Sequence, residues 1–114
     1  MEAMVILQKC SIKNHLTGIR VEKRDGDWYR TWAFKIDEKK AKNEGFDKNS
    51  IKGSFHADPK YPGCPYCEAI SFYQCFCGKL NCYAGHEKSI TCRWCGKTGI
   101  CVEQTNFNIK SGGF

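Results

Sequence analysis

Nine cysteines and three histidines stand in a chain of 114 residues, and the spacing of the cysteines is the feature most able to do chemistry. Cys64-Pro65-Tyr66-Cys67 and Cys92-Arg93-Trp94-Cys95-Gly96 are two C-x-x-C turns. Two intervening residues let both sulfurs face one ion at about 2.3 Å, and a glycine after the second cysteine relieves the tight backbone. Between the turns lie Cys75, Cys77 and Cys82; Cys10 stands alone near the start, and Cys101 follows the second turn. A single hairpin register centred between Lys79 and Leu80 would set Cys64 opposite Cys95, Cys67 opposite Cys92 and Cys77 opposite Cys82. At a strand rise of about 3.3 Å per residue the two ends of such a hairpin are roughly 30 Å apart, so one ion cannot serve both.

The expected arrangement is therefore two structural zinc ions. One is held by Cys64, Cys67, Cys92 and Cys95, as in a zinc ribbon. The other lies near the bend on Cys75, Cys77 and Cys82, the first two being placed on one face of a strand. Its fourth ligand is open among Cys10, His86 and Cys101, with Cys10 favoured because it would tie the front of the chain to the back. A site filled by four thiolates has no open position for water or substrate, so the metal is expected to stabilise and not to catalyse. His15 and His56 sit among polar residues and are expected to face solvent, and Trp94 is expected to pack against the hairpin.

The enzymatic rival is a thiol oxidoreductase, since Cys64-Pro65-Tyr66-Cys67 is identical to the active-site motif of glutaredoxins. In that fold the motif opens a helix whose N-terminus activates the first thiol. Here the following Glu68-Ala69-Ile70-Ser71-Phe72-Tyr73-Gln74 suits a strand, and all three prolines precede position 66. No H-E-x-x-H, phosphate-binding loop or nucleophile elbow is present in the sequence,. The chain is thus not expected to be an enzyme.

The elements that must position the cysteines are mainly strands. Residues 4–10 read as a strand. Ile19 and Val21, then Trp28, Trp32, Phe34 and Ile36, alternate on either side of Asp25-Gly26-Asp27, a hairpin signal,. Asp37 can cap a short helix from Glu38 to Glu44 that Gly45 closes. Ile51, Gly53 and Phe55 suggest one further strand. The turn-rich 58–63 segment separates a β-rich subdomain, residues 1–58, from a cysteine-rich, zinc-ribbon-like subdomain, residues 59–114, within one compact domain. The fold class is mainly β, a small α+β arrangement with one short helix, and the Ser111-Gly112-Gly113 tail is expected to fray.

Cysteine at this density belongs either to a disulfide scaffold or to metal sites in a reducing compartment. The start, Met1-Glu2-Ala3-Met4-Val5-Ile6-Leu7, has neither the basic segment nor the apolar length of a secretion signal, and the expectation is a cytoplasmic protein without membrane association,. The formal charge of +6 counts every cysteine as neutral. Each zinc with four thiolates contributes a net negative charge, and the basic residues are scattered, so nucleic-acid binding is an alternative that is not favoured.

Taken together, Gly63-Cys64-Pro65-Tyr66-Cys67, then Cys75-x-Cys77-Gly78-Lys79-Leu80-x-Cys82, then Thr91-Cys92-x-Trp94-Cys95-Gly96 resembles the TerY-C metal-binding domain. That family occurs at the C-terminus of von Willebrand A-type proteins linked to bacterial tellurite resistance and stress response. The resemblance is strongest over residues 63–96. Glu68 departs from it where a glycine is expected, and Arg93 where a proline is more usual. It implies an accessory, protein-interaction module whose partner is a von Willebrand A-type protein, and it implies no activity for this chain.

Overall fold

The structure is a computed structural model that describes residues 2–101 and 107–110; the Ser111-Gly112-Gly113 tail lies outside them. The fold is mainly β with one short helix. Strands β1 (Ala3–Lys9), β2 (Leu16–Arg24) and β3 (Asp27–Lys35) form a consecutive antiparallel meander. The β2–β3 hairpin closes through Asp25 and Gly26, both at positive φ (51° and 87°), as a two-residue turn of matching twist requires,. Helix α1 (Glu38–Asn43) follows, one residue shorter than the sequence suggested, with the Asp37 carboxylate accepting the Lys40 N–H at 2.7 Å. Gly45, at φ 77°, then turns the chain into a 3-10 turn over Phe46–Lys48.

The alternation expected along β3 is interrupted. Arg20 pairs with Trp32 and Val21 with Arg30, so Thr31 bulges out of the ladder. A bulge adds one residue and exchanges the two faces beyond it. Trp28, Arg30 and Ala33 are consequently buried, while Trp32 is 55% exposed. One face of the sheet carries Ile6, Ile19, Val21, Trp28, Ala33 and Leu80 in the main core. The other face carries Leu7, Leu16 and Ile36 beneath Ala41 of α1.

The single strand expected around Ile51 to Phe55 is two strands. β4 (Ser50–Gly53) pairs with β10 (Phe107–Lys110), and β5 (Phe55–Ala57) runs parallel to β3. They part at Gly53, whose φ of 120° few other residues would adopt,.

The expected long hairpin of the cysteine region is likewise replaced. β6 (Ser71–Gln74) pairs with β7 (Leu80–Tyr83) so that Phe72, not Cys77, faces Cys82. Strands β8 (Ser89–Thr91) and β9 (Thr98–Ile100) form a separate hairpin. β7 also lies parallel to β1, with Gln8 beside Leu80 and Lys9 beside Asn81. The principal sheet thus has the order β5-β3-β2-β1-β7-β6 and runs across the linker at residues 58–63.

Replacing Ile19, fully buried, by Ala is expected to destabilise the protein by about 2–5 kcal/mol, whereas Trp32→Ala on the bulged strand is expected to stay within about 0.5 kcal/mol,. Equilibrium unfolding of the two variants checks this; equal losses would place Trp32 in the core and remove the bulge.

Candidate metal centres

Four tight turns carry seven of the nine cysteines, and three of them share one hydrogen-bond pattern. The Cys64 N–H donates to Ala69 O at 2.8 Å while Glu68 N–H donates back to Cys64 O at 2.7 Å. At Cys92 the partners are Lys97 O (2.8 Å) and Gly96 N–H (2.9 Å). At Cys10 they are His15 O (2.9 Å) and Asn14 N–H (2.8 Å). In each turn the fifth residue takes positive φ: Glu68 at 66°, Gly96 at 80° and Asn14 at 56°. The Cys10 turn is therefore a C-x-x-C turn with Lys13 in the place of the second cysteine, and the Lys13 N–H still points at the Cys10 sulfur, 3.4 Å away. The fourth turn, Cys75-Phe76-Cys77-Gly78, closes one residue sooner, with Cys75 N–H on Lys79 O (3.1 Å) and Gly78 N–H on Cys75 O (2.9 Å). Cys75 and Cys77 thus lie in a turn, not along one face of a strand as expected.

These turns assemble two groups of four, Cys10, Cys64, Cys67 and Cys82 in one and Cys75, Cys77, Cys92 and Cys95 in the other, with all sulfurs of a group within 4.8 Å of one another. Regular tetrahedral coordination at a metal–sulfur bond of about 2.3 Å requires sulfur pairs about 3.8 Å apart. Cys67 and Cys82 are 3.4 Å apart, Cys75 and Cys95 3.5 Å, and Cys77 and Cys92 3.8 Å. Each group could hold one metal ion. The partition differs from the one the sequence suggested, because the two C-x-x-C turns fall in different groups. The parallel β1–β7 pairing sets Cys10 beside Cys82, and the Cys64–Cys67 turn closes over them. The β6–β7 turn instead meets the β8–β9 turn. Cys101 is half-buried in neither group, and His86 is exposed beside Glu87. His15 and His56 are exposed, His15 resting on the Tyr66 ring.

Three side chains missed by the sequence reading hold the centres in place. Asn81, fully buried between them on β7, donates to the Cys92 sulfur (3.4 Å) and accepts the Arg93 N–H (2.8 Å). A proline at position 93 could not make that bond. The Arg93 guanidinium reaches across to Ser11 O, whose own residue donates its N–H to the Cys82 sulfur at 3.1 Å. Arg30, buried beside the bulge, lies within about 5 Å of the Phe55, Tyr61 and Phe72 rings and donates to Ile70 O at 2.6 Å,. It thereby grips the chain on both sides of the Cys64–Cys67 turn, and burial lowers its pKa. An arginine between apolar strand positions was the one sequence signal of that role. Trp94 packs as expected, its indole N–H on Leu80 O at 2.8 Å and Lys9 above its ring.

The environment separates the thiols. Hydrogen bonding from the Cys64 thiol outweighs burial at Cys82 and, with Ser11, brings it down to about 4, while Cys64 is driven up in return. Burial pushes Cys67 up to about 11 and Cys77 up to about 12. At Cys92 burial acts upward too, but hydrogen bonds from Asn81 and from the Cys95 and Trp94 N–H groups outweigh it and bring the thiol to about 7. Cys67 is followed by a turn leading into β6. Comparison with protein-family models, with curated proteins and with solved structures found no match to the chain. What fold and site define is a small, mainly β domain with two four-cysteine groups that could each hold a metal ion.

A Cβ at Gly63 (φ 87°) would stand 2.6 Å from Glu68 O, inside the first centre's turn. Gly63→Ala is expected to cost about 1–3 kcal/mol and to weaken metal binding by the first group, whereas Glu68→Gly relieves a left-handed glutamate and is expected to stabilise by up to about 1 kcal/mol. Thermal melts with a competing chelator check both signs. Because ligand thiols must lose their protons, and Cys67 and Cys77 hold theirs at neutral pH, metal affinity is expected to rise with pH by at least about tenfold per unit between about pH 6 and pH 8,. Chelator competition across that range measures the slope, and a flat profile would contradict it.

Proposed function

We propose that this chain is a non-catalytic, structural zinc-binding domain that serves as a protein-interaction module. The observation that carries the reading is the assembly of two complete four-cysteine groups, the sulfurs of each within 4.8 Å of one another. Zinc is the ion that such all-thiolate tetrahedral sets most commonly hold, and with four protein ligands it has no position left for a substrate. The turn geometry after Cys67 supports the non-enzymatic reading, because the helix N-terminus that would activate a glutaredoxin-type thiol is replaced by a turn and a strand,.

The resemblance to the TerY-C family extends the proposal to an accessory role in a bacterial tellurite-resistance or stress-response system, with a von Willebrand A-type protein as partner and the cytoplasm as compartment. The left-handed backbone at Glu68 favours it, since that is the conformation the family's glycine would supply,. Several large apolar side chains stand exposed, Phe76 completely, Ile100 at 76% and Trp32 at 55%, and a protein partner would cover such groups,. Among the described residues no helix is long and apolar enough to cross a membrane.

Protein purified without added metal is expected to carry two zinc ions per chain by elemental analysis and native mass spectrometry, and to lose its tertiary structure when a strong chelator removes them,. A folded, metal-free protein would overturn the reading. Affinity purification is expected to recover a protein partner, and recovery of nucleic acid alone would replace the interaction role with the nucleic-acid alternative.

A further inference from the structure

The two centres differ in how they meet solvent. In the first, Cys10 and Cys82 are fully buried, Cys64 is 1% exposed and Cys67 is half-buried. In the second, Cys75 and Cys92 are buried and Cys77 half-buried, but Cys95 is exposed. Its chain neighbours Gly96 and Lys97 are exposed as well, and Phe76, beside Cys75 and Cys77 in the facing turn, stands wholly in solvent. Cys95 is the one exposed residue of the two groups, and its sulfur lies 3.5 Å from that of the buried Cys75.

We propose that Cys95 is an oxidation site for peroxides, and that its oxidation discharges the metal of the second centre while the first centre keeps its own. The proposal rests on the reading that both centres hold zinc. Susceptibility to two-electron oxidation follows thiolate character and exposure, and reversible oxidation needs a second thiol within reach. The Cys95 thiolate attacks one oxygen of the peroxide: an S–O bond forms, the O–O bond breaks, and the departing hydroxide takes a proton to become water. Cys95, now a sulfenic acid, has lost two electrons. The Cys75 thiolate then attacks that sulfur, an S–S bond forms, the S–O bond breaks, and the second hydroxide also leaves as water. One peroxide and two protons are consumed, and two thiolates become one disulfide. Cys77 and Cys92 remain as the only thiolate ligands of the second centre, too few to retain the ion. A thiol reductant reverses the change. The first centre is protected by the burial of Cys10, Cys64 and Cys82, and the Ser11 N–H donates to the Cys82 sulfur.

The test treats the zinc-loaded protein with hydrogen peroxide, follows released zinc with a chromophoric chelator, and maps cysteines by alkylation and mass spectrometry. One ion is expected to leave at least about tenfold faster than the other, with Cys75 and Cys95 joined while Cys10, Cys64 and Cys82 still alkylate as thiols. The variant Cys95→His keeps four donors, and in it the fast phase is expected to vanish while two zinc ions remain bound. Simultaneous loss of both ions, earlier oxidation of the first centre, or a disulfide that excludes Cys95 would overturn the proposal while leaving the zinc reading intact. Protein that carries no zinc before peroxide is added would overturn both.

Discussion

The rest of the structure depends on one short contact, the parallel pairing of β1 with β7 through Gln8–Leu80 and Lys9–Asn81. It joins the N-terminal meander to the cysteine-bearing hairpin in one sheet, and it delivers Cys10, the residue after β1, to Cys82 on β7. Two residue pairs of parallel ladder hold little by themselves, and parallel strands need a long connection whose closure is entropically unfavourable. A metal ion on Cys10, Cys64, Cys67 and Cys82 would fasten the strand ends at that point, so strand pairing and metal binding would reinforce each other,.

The second recurring constraint is the cysteine turn. At Cys10, Cys64 and Cys92 the same two backbone hydrogen bonds form, with a residue at positive φ closing each turn. Such turns satisfy their own backbone groups and aim further N–H groups at the sulfurs, which favours thiolate over thiol. Of the four cysteine turns, those at Cys10, Cys75 and Cys92 also serve as hairpin bends, so the features that would bind metal are the ones that reverse the chain. A domain of this size with a divided core gains proportionately from such closures.

Between the centres the polar links are few and specific. Asn81 touches both the Cys92 sulfur and the Arg93 backbone, and Arg93 reaches Ser11, which in turn touches Cys82. Cations surround the same region, Lys9 and Lys79 over Trp94 and Arg93 beside it. Metal centres with four thiolates would carry net negative charge, and these cations would offset it.

How much of this was legible in the sequence follows the range of the interactions. The β2–β3 turn at Asp25-Gly26, the helix cap at Asp37 and the C-x-x-C turns are set by residues within a few positions of one another, and their signals are local. Seven of the eight cysteines that gather into two groups carry a spacing signal, and the eighth, Cys10, stands alone in the sequence. Their division was not readable, because C-x-x-C spacing is the same whichever turn it meets, and one hairpin register sets the two C-x-x-C turns opposite each other. The bulge at Thr31, the split at Gly53 and the burial of Arg30 were hidden for a related reason, since each depends on which strand lies alongside. By itself the sequence determined the Asp25-Gly26 and C-x-x-C turns, the candidate donors of metal bonds and a mainly β chain. Only the tertiary structure decided which turns face each other, because that choice rests on parallel pairing between distant strands, which leaves no mark on local spacing.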